Sequence, residues 1–219
     1  LSAADLAAIA IGVGIWMPIM LLFAGIMIAT TPLVAEARGA RTPEQIPTIA
    51  RQSLWVALIL GIVAMLILQL MPLLLPLLGI PDSLIPKASL FLHAIGFGMP
   101  AVMMYSALRC YSEALGHPRP VTVISLLSLL LLIPLNYIFM YGFGPIPALG
   151  SGGCGFATAI LQWIMLIVLA LYIAKAKAYQ QVPIFTVWEK INPRWVKRIL
   201  KLGFPIGLAI FFEVSIFST

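Results

Sequence analysis

Six stretches of this chain, near residues 8–33, 52–78, 88–112, 120–142, 153–174 and 199–219, are apolar almost throughout. Each exceeds the roughly 18 residues a helix needs to cross the hydrocarbon core of a bilayer, so each is read as a membrane-spanning helix. Lipid offers no partner to a polar group, and a chain built this way is expected to fold as an all-α, polytopic membrane helical bundle. Composition points the same way. Of the 219 residues, 62% are hydrophobic and 9% charged, against roughly 45–50% and 25% in a soluble domain. Between Pro120 and Ala174 there is no charge, but the segment YGFGPIPALGSGGCG (141–155) holds six glycines and two prolines. These break a helix and predict an exposed turn, which divides that span into two crossings.

The net charge of +6 does not point to nucleic acid, because no basic stretch is interleaved with aromatics that could stack on bases. Twelve of the 13 Lys/Arg fall in the connections 34–51, 109–119 and 175–201, which share one side of the membrane if the chain alternates. The opposite side has Lys87 alone. By the positive-inside rule the basic side is cytoplasmic, which puts Leu1 and the glycine-rich turn outside. Cys110 and Cys154 lie 44 residues apart in apolar surroundings and predict neither a disulfide nor a thiolate metal site. No secretory leader is visible, and a chain starting at Leu1 is expected to lack its true beginning.

The segment YQQVPIFTVWEKINPRWVKRILK (179–201) combines Tyr179, Trp188 and Trp195 with a basic cluster. Trp and Tyr favour the headgroup zone and Lys/Arg favour anionic lipid, so the segment is read as a helix or turn lying on the cytoplasmic surface. An ordinary solvated linker is the plainer alternative.

Of the polar side chains at or near membrane depth, seven are most informative: Gln69, His93, Arg109, Glu113, Asn136, Gln162 and Glu213. Arg109 and Glu113 are one helical turn apart and can pair with each other or reach the headgroups. Gln69 and Gln162 suit hydrogen bonds across helices. Neither His93 nor His117 has a second imidazole or a carboxylate at the spacing a metal site needs. Asn136 stands two residues after Pro134, whose missing N–H frees the carbonyl of Leu130 and bends the helix. An amide beside a kink can coordinate a cation or orient water, or make an interhelical hydrogen bond. Ser125 lies on its stripe, about three turns away.

Glu213 is the least expected of the seven. An ionised side chain at the bilayer centre costs at least about 2.5–3.5 kcal/mol. Its helical stripe, Ile206, Ala209, Ile210, Ile216 and Phe217, offers no partner. Donors must therefore come from other helices, an aqueous cavity or a bound ion, with a protonated structural acid as the alternative. Gly203 and Gly207, with Pro205 between them, admit a close helix neighbour and loosen the first turns.

The stretches LGFPIGLAIFFEV, IPLNYIFMYG, GSGGCGFATAI and ALRCYSEALGHPRP together resemble the NorM branch of the multidrug and toxic compound extrusion (MATE) family, in order and over nearly the whole chain. The resemblance implies a bacterial inner-membrane transporter of twelve helices in two lobes. Six of them, the second to the seventh, would lie in this chain, with the first helix and everything after Thr219 missing. On that reading residues 1–178 are the N-terminal lobe without its first helix, 179–198 a cytoplasmic interfacial linker, and 199–219 the truncated first helix of the C-terminal lobe.

The resemblance further implies cation-coupled export of organic, often cationic drugs by alternating access, with no cofactor beyond a coupling ion, Na⁺ or H⁺. Partners would be small-molecule drugs and membrane lipids, with a monomer at full length. Glu213 matches the acidic residue of the family's seventh helix and would bind the cation, Na⁺ included. Asn136 matches the fifth-helix asparagine and would line the N-terminal cavity, while Pro134, Pro205 and Gly203 would serve as kinks or hinges. A flippase for lipid-linked precursors is the rival of similar architecture, and needs several basic residues at membrane depth. An intramembrane enzyme is the rival from another class, and needs a nucleophile, paired acids or a metal cluster there.

Overall fold

The computed structural model describes residues 3–143, 147–187 and 189–217, the side chains of the last three excepted. Trp188, part of the glycine-rich turn and the side chains of Ile216 and Phe217 therefore lie outside the described residues. Among the described residues eight α-helices carry the fold: α1 (Ala3–Met27), α2 (Thr30–Gly39), α3 (Gln45–Leu70), α4 (Ile85–Gly96), α5 (Met99–Ala114), α6 (Arg119–Tyr141), α7 (Ser151–Lys175) and α8 (Pro193–Phe217). Among the described residues, four stretches are long and apolar enough to cross a membrane: Ala3–Gly39, Gln45–Leu73, α6 and α7. The pair α4 and α5, bent by 41° at its junction, makes a fifth if counted as one span.

Prolines set the breaks. Pro32 has no N–H to give the Ile28 carbonyl, and the Thr31 N–H takes it at 3.0 Å, so α1 and α2 meet at a tight turn. Pro72 and Pro76 cut the second apolar run into two 3₁₀ turns, and α3 ends at Leu70 rather than near residue 78. Pro100 follows Gly96, Phe97 and Gly98, and there the third run, expected as one helix over 88–112, becomes two. Pro18, Pro134 and Pro205 lie inside helices that continue through them.

Helices α1, α3, α4, α5 and α7 enclose a core that includes the fully buried Phe91, Leu68, Leu92, Met99 and Met103. Small residues bring backbones together. A Cβ on Gly61 would stand 2.5 Å from the Cα of Pro100, and one on Gly153 would stand 2.2 Å from the Phe139 carbonyl oxygen. Three of the six glycines expected in the exposed turn, Gly152, Gly153 and Gly155, thus belong to the first turns of α7. Helix α6 packs chiefly on α7 and leaves Val123, Leu126, Leu130 and Ile133 exposed, as a lipid-facing helix does.

Of the helix or turn expected here, the described residues of the connection 176–192 form turns and no α-helix. It makes one 3₁₀ turn, Lys177–Tyr179, then runs as an irregular strap held against the ends of α3 and α5. The Arg51 guanidinium donates to the carbonyls of Ile184 (2.8 Å) and Pro183 (3.0 Å) and pairs with the Glu189 carboxylate. Gln52 donates to the Lys190 carbonyl (2.9 Å) and accepts from the Asn192 N–H (2.8 Å). Trp55 donates to the Glu189 carbonyl and Thr48 to its carboxylate. At the α5 end, Tyr111 donates to the Val182 carbonyl at 2.7 Å, and Ser112 bonds both His117 and Tyr179. Burial pushes the Tyr179 phenol above its usual range, with the Ser112 hydroxyl pulling the other way. The ring therefore stays neutral and keeps its donor.

Helix α8 starts at Pro193, six residues before the expected 199. Asn192 explains this: its side-chain oxygen accepts the Arg194 N–H at 3.1 Å, and Pro193 is preorganised for a first helical position. Trp195 accordingly belongs to α8, with Arg198 over its ring and paired to Glu36 at 2.8 Å. These contacts gather connections 34–51, 109–119 and 175–201 at one end of the bundle, as the charge count requires.

Candidate functional site

Glu213 lies on α8, the helix that packs on α1 through a glycine seam. A Cβ on Gly203 would stand 2.2 Å from the carbonyl oxygen of Ile26, and one on Gly207 would stand 2.5 Å from that of Leu22. Gly25 of α1 faces Gly207 in turn. With those glycines buried, Glu213 falls on the exposed side of α8 beside the exposed Ala209. It makes no hydrogen bond or ion pair among the described residues. The expectation that its own stripe supplies no partner thus extends to α1 and α3, the helices against which α8 packs.

Asn136 is half-buried on α6, and its side-chain oxygen is enclosed without a hydrogen-bond partner. Ser125 is turned elsewhere, its hydroxyl 3.3 Å from that of Tyr105 on α5. Asn136 and Glu213 are not joined by a hydrogen bond, and neither Pro134 nor Pro205 interrupts its helix. Gly203 acts at the α1–α8 contact. Among the described residues no three His, Cys, Asp or Glu side chains stand together as a metal-binding group. Arg109 pairs with Glu113 at 3.6 Å, and both are partly exposed.

A second polar locus surrounds the junction of α4 and α5, and the sequence hid it in one apolar run. Trp163 of α7 donates to the Phe97 carbonyl at 3.0 Å. Gln162, 7% exposed, sets its side-chain oxygen against Gly98, and that oxygen has no hydrogen-bond partner. One turn back, Gln69 of α3 donates to the His93 carbonyl (3.2 Å) and accepts from the His93 ring. Gln69 thus bonds across helices as expected, while the Gln162 oxygen does not. A Cβ on Gly98 would stand 1.9 Å from the Gln162 oxygen. Gly98→Ala is therefore expected to destabilise the full-length protein by about 1–3 kcal/mol. A double-mutant cycle with Gln162→Ala in thermal unfolding should recover part of that loss, since the amide is the nearest obstacle.

At the other end of the bundle Lys87 pairs with Asp5 at 2.7 Å, and Ser151 donates to the Lys87 carbonyl. The one basic residue of that side is thereby neutralised.

Residues 1–138 match the sequence pattern of the family described as MatE. Over all 219 residues the chain is 78% identical to the "Probable multidrug resistance protein NorM" of Acinetobacter baylyi, of which it covers 49%. It is 37% identical over 217 residues to the "Multidrug resistance protein NorM" of Vibrio cholerae, covering 99% of this chain and 48% of that one. Among solved structures, one titled "Inward-facing conformation of a multidrug resistance MATE family transporter of the MOP superfamily" superposes with a TM-score of 0.83 at 24% identity. That match covers 95% of this chain and 46% of the other, and at such identity the likeness is one of fold. The chain spans about half the length of the curated relatives it matches.

Proposed function

This chain belongs to the MatE family, and from that premise we propose that it supplies about half of a multi-pass, cation-coupled multidrug exporter of the bacterial inner membrane. The observation that carries the reading is the 78% identity, over all 219 residues, to a relative named for multidrug resistance. Helices α1 to α7 form most of one lobe, the strap links the lobes, and α8 opens the second. Substrates are organic, often cationic small molecules. The family match also sets the enzyme reading aside, because the relatives are transporters.

Two features of the fold support the coupling role. Glu213 has no hydrogen bond or ion pair among the described residues, which fits donors or a cation supplied from across the lobe interface. Asn136 presents an unsatisfied oxygen on α6, suited to a cation or an ordered water. An inward-moving cation gains about 2.3 kcal/mol per 100 mV of membrane potential. That gain drives a drug outward only if cation and drug favour opposite conformations. Glu213, when occupied by Na⁺ or H⁺, favours the drug-releasing conformation.

The test is drug efflux from proteoliposomes carrying full-length protein. Glu213→Gln is expected to lose the part of the drug gradient driven by the cation, while binding of drug to the purified protein persists. Efflux equal to that of the unmodified protein would remove Glu213 from the mechanism.

A further inference from the structure

Helices α3, α5 and α7 and the strap enclose a cavity of about 260 Å³ that neither Glu213 nor Asn136 lines. Leu54, Leu58, Met104, Leu108, Ile167 and Ala170 form its walls, and Ile184 and Phe185 of the strap close it towards the basic end. Ile167 is 52% exposed and Phe185 43%, so the cavity is a groove open along the outer side of membrane-spanning helices. Its charged lining residues, Arg51 and Glu189, neutralise each other, and the Arg51 nitrogens are all engaged by Glu189, Ile184 and Pro183. An organic cation would find no unpaired counter-charge there. A hydrocarbon chain suits these apolar walls.

Twelve of the 13 Lys/Arg gather at that end of the bundle. Three of the acids there, Glu36, Glu113 and Glu189, are already paired with arginines. Lys175 at the end of α7, Lys177 in the 3₁₀ turn and Lys190 in the strap are exposed and make no ion pair among the described residues. Excess positive charge at the headgroup level attracts anionic lipid. We propose that this groove holds one acyl chain of an anionic phospholipid from the leaflet at the basic end, its phosphate held by Lys175, Lys177 and Lys190. The bound chain supports the strap from below. This site needs the chain to lie in a membrane but does not depend on the exporter reading.

Trp55 lines the groove and reports on it directly. Full-length protein in phosphatidylcholine nanodiscs is titrated with phosphatidylglycerol or phosphatidylcholine carrying brominated acyl chains, and the Trp55 signal is the quenching lost in a Trp55→Phe variant. Phosphatidylglycerol is expected to quench saturably, at about fivefold lower mole fraction than phosphatidylcholine. Replacing Lys175, Lys177 and Lys190 together by Gln should abolish that preference, and Ala170→Phe, which fills the groove, should weaken quenching by both lipids. Equal quenching by the two lipids would overturn the proposal, as would a preference that survives the three Gln substitutions. Saturable quenching unchanged by Ala170→Phe would do the same. The Lys→Gln set alters only exposed side chains, so the test stands even if Ala170→Phe fails to fold.

Discussion

Arg51→Ala is expected to free the strap between α7 and α8 and to destabilise the full-length protein by about 3 kcal/mol. The side chain is 11% exposed and Glu189 is 30% exposed, so the pair is largely withdrawn from water. Removing the guanidinium leaves the Glu189 carboxylate, among the described residues, with only the Thr48 hydroxyl, and leaves the Ile184 and Pro183 carbonyls without their donor. A buried acceptor that loses its partner costs more than the lost bond, because its desolvation is no longer offset. Thermal unfolding in detergent should report the loss, and hydrogen exchange should rise first over residues 180–192. Arg51→Lys is expected to rescue little, since one ammonium cannot reach three acceptors arranged around a planar fork. A strap as protected in Arg51→Ala as in the unmodified protein would show that Gln52 and Trp55 hold it unaided.

Gly203→Val should separate α8 from α1, with a loss of about 3 kcal/mol or more. Its Cβ would stand 2.2 Å from a backbone oxygen and 2.9 Å from the carbonyl carbon of Ile26. Backbone within a helix cannot step aside as a side chain does, so the whole of α8 must shift. Glu213 is carried on the same helix. Efflux should therefore fall along with thermal stability, whereas Glu213→Gln should affect efflux with stability nearly unchanged. Comparing the two variants separates positioning of the carboxylate from its chemistry. A Gly203→Val protein that unfolds at the unmodified temperature would mean that the seam is looser than its distances indicate.

The division of the chain into apolar helices, its charged end and its family were all legible in the residues. Hydrocarbon length and the cost of unpaired polar groups leave few options for a chain of this composition. Glu213 and Asn136 stood out for the same reason, each being a polar group in a run that should have none. The junction of α4 and α5 was not legible, because Phe97 and Gly98 look like any apolar residues until Pro100 and the side chains of α7 are brought against them. The anchoring of the strap was not legible for a related reason. Its aromatic and basic residues suit a membrane surface, but Arg51, Gln52 and Trp55, more than 120 residues away in sequence, take up its backbone groups.

Local chemistry thus dictated which segments are apolar helices and which end of the bundle is basic, since each of these depends on neighbours within a turn or two of chain. Which helices touch, where Arg51 finds Glu189, and the outward placement of Glu213 depend on pairs far apart in sequence. Those pairs are chosen by shape: a glycine on one helix admits the backbone of another, and side-chain spacing along a single run carries no record of that partner.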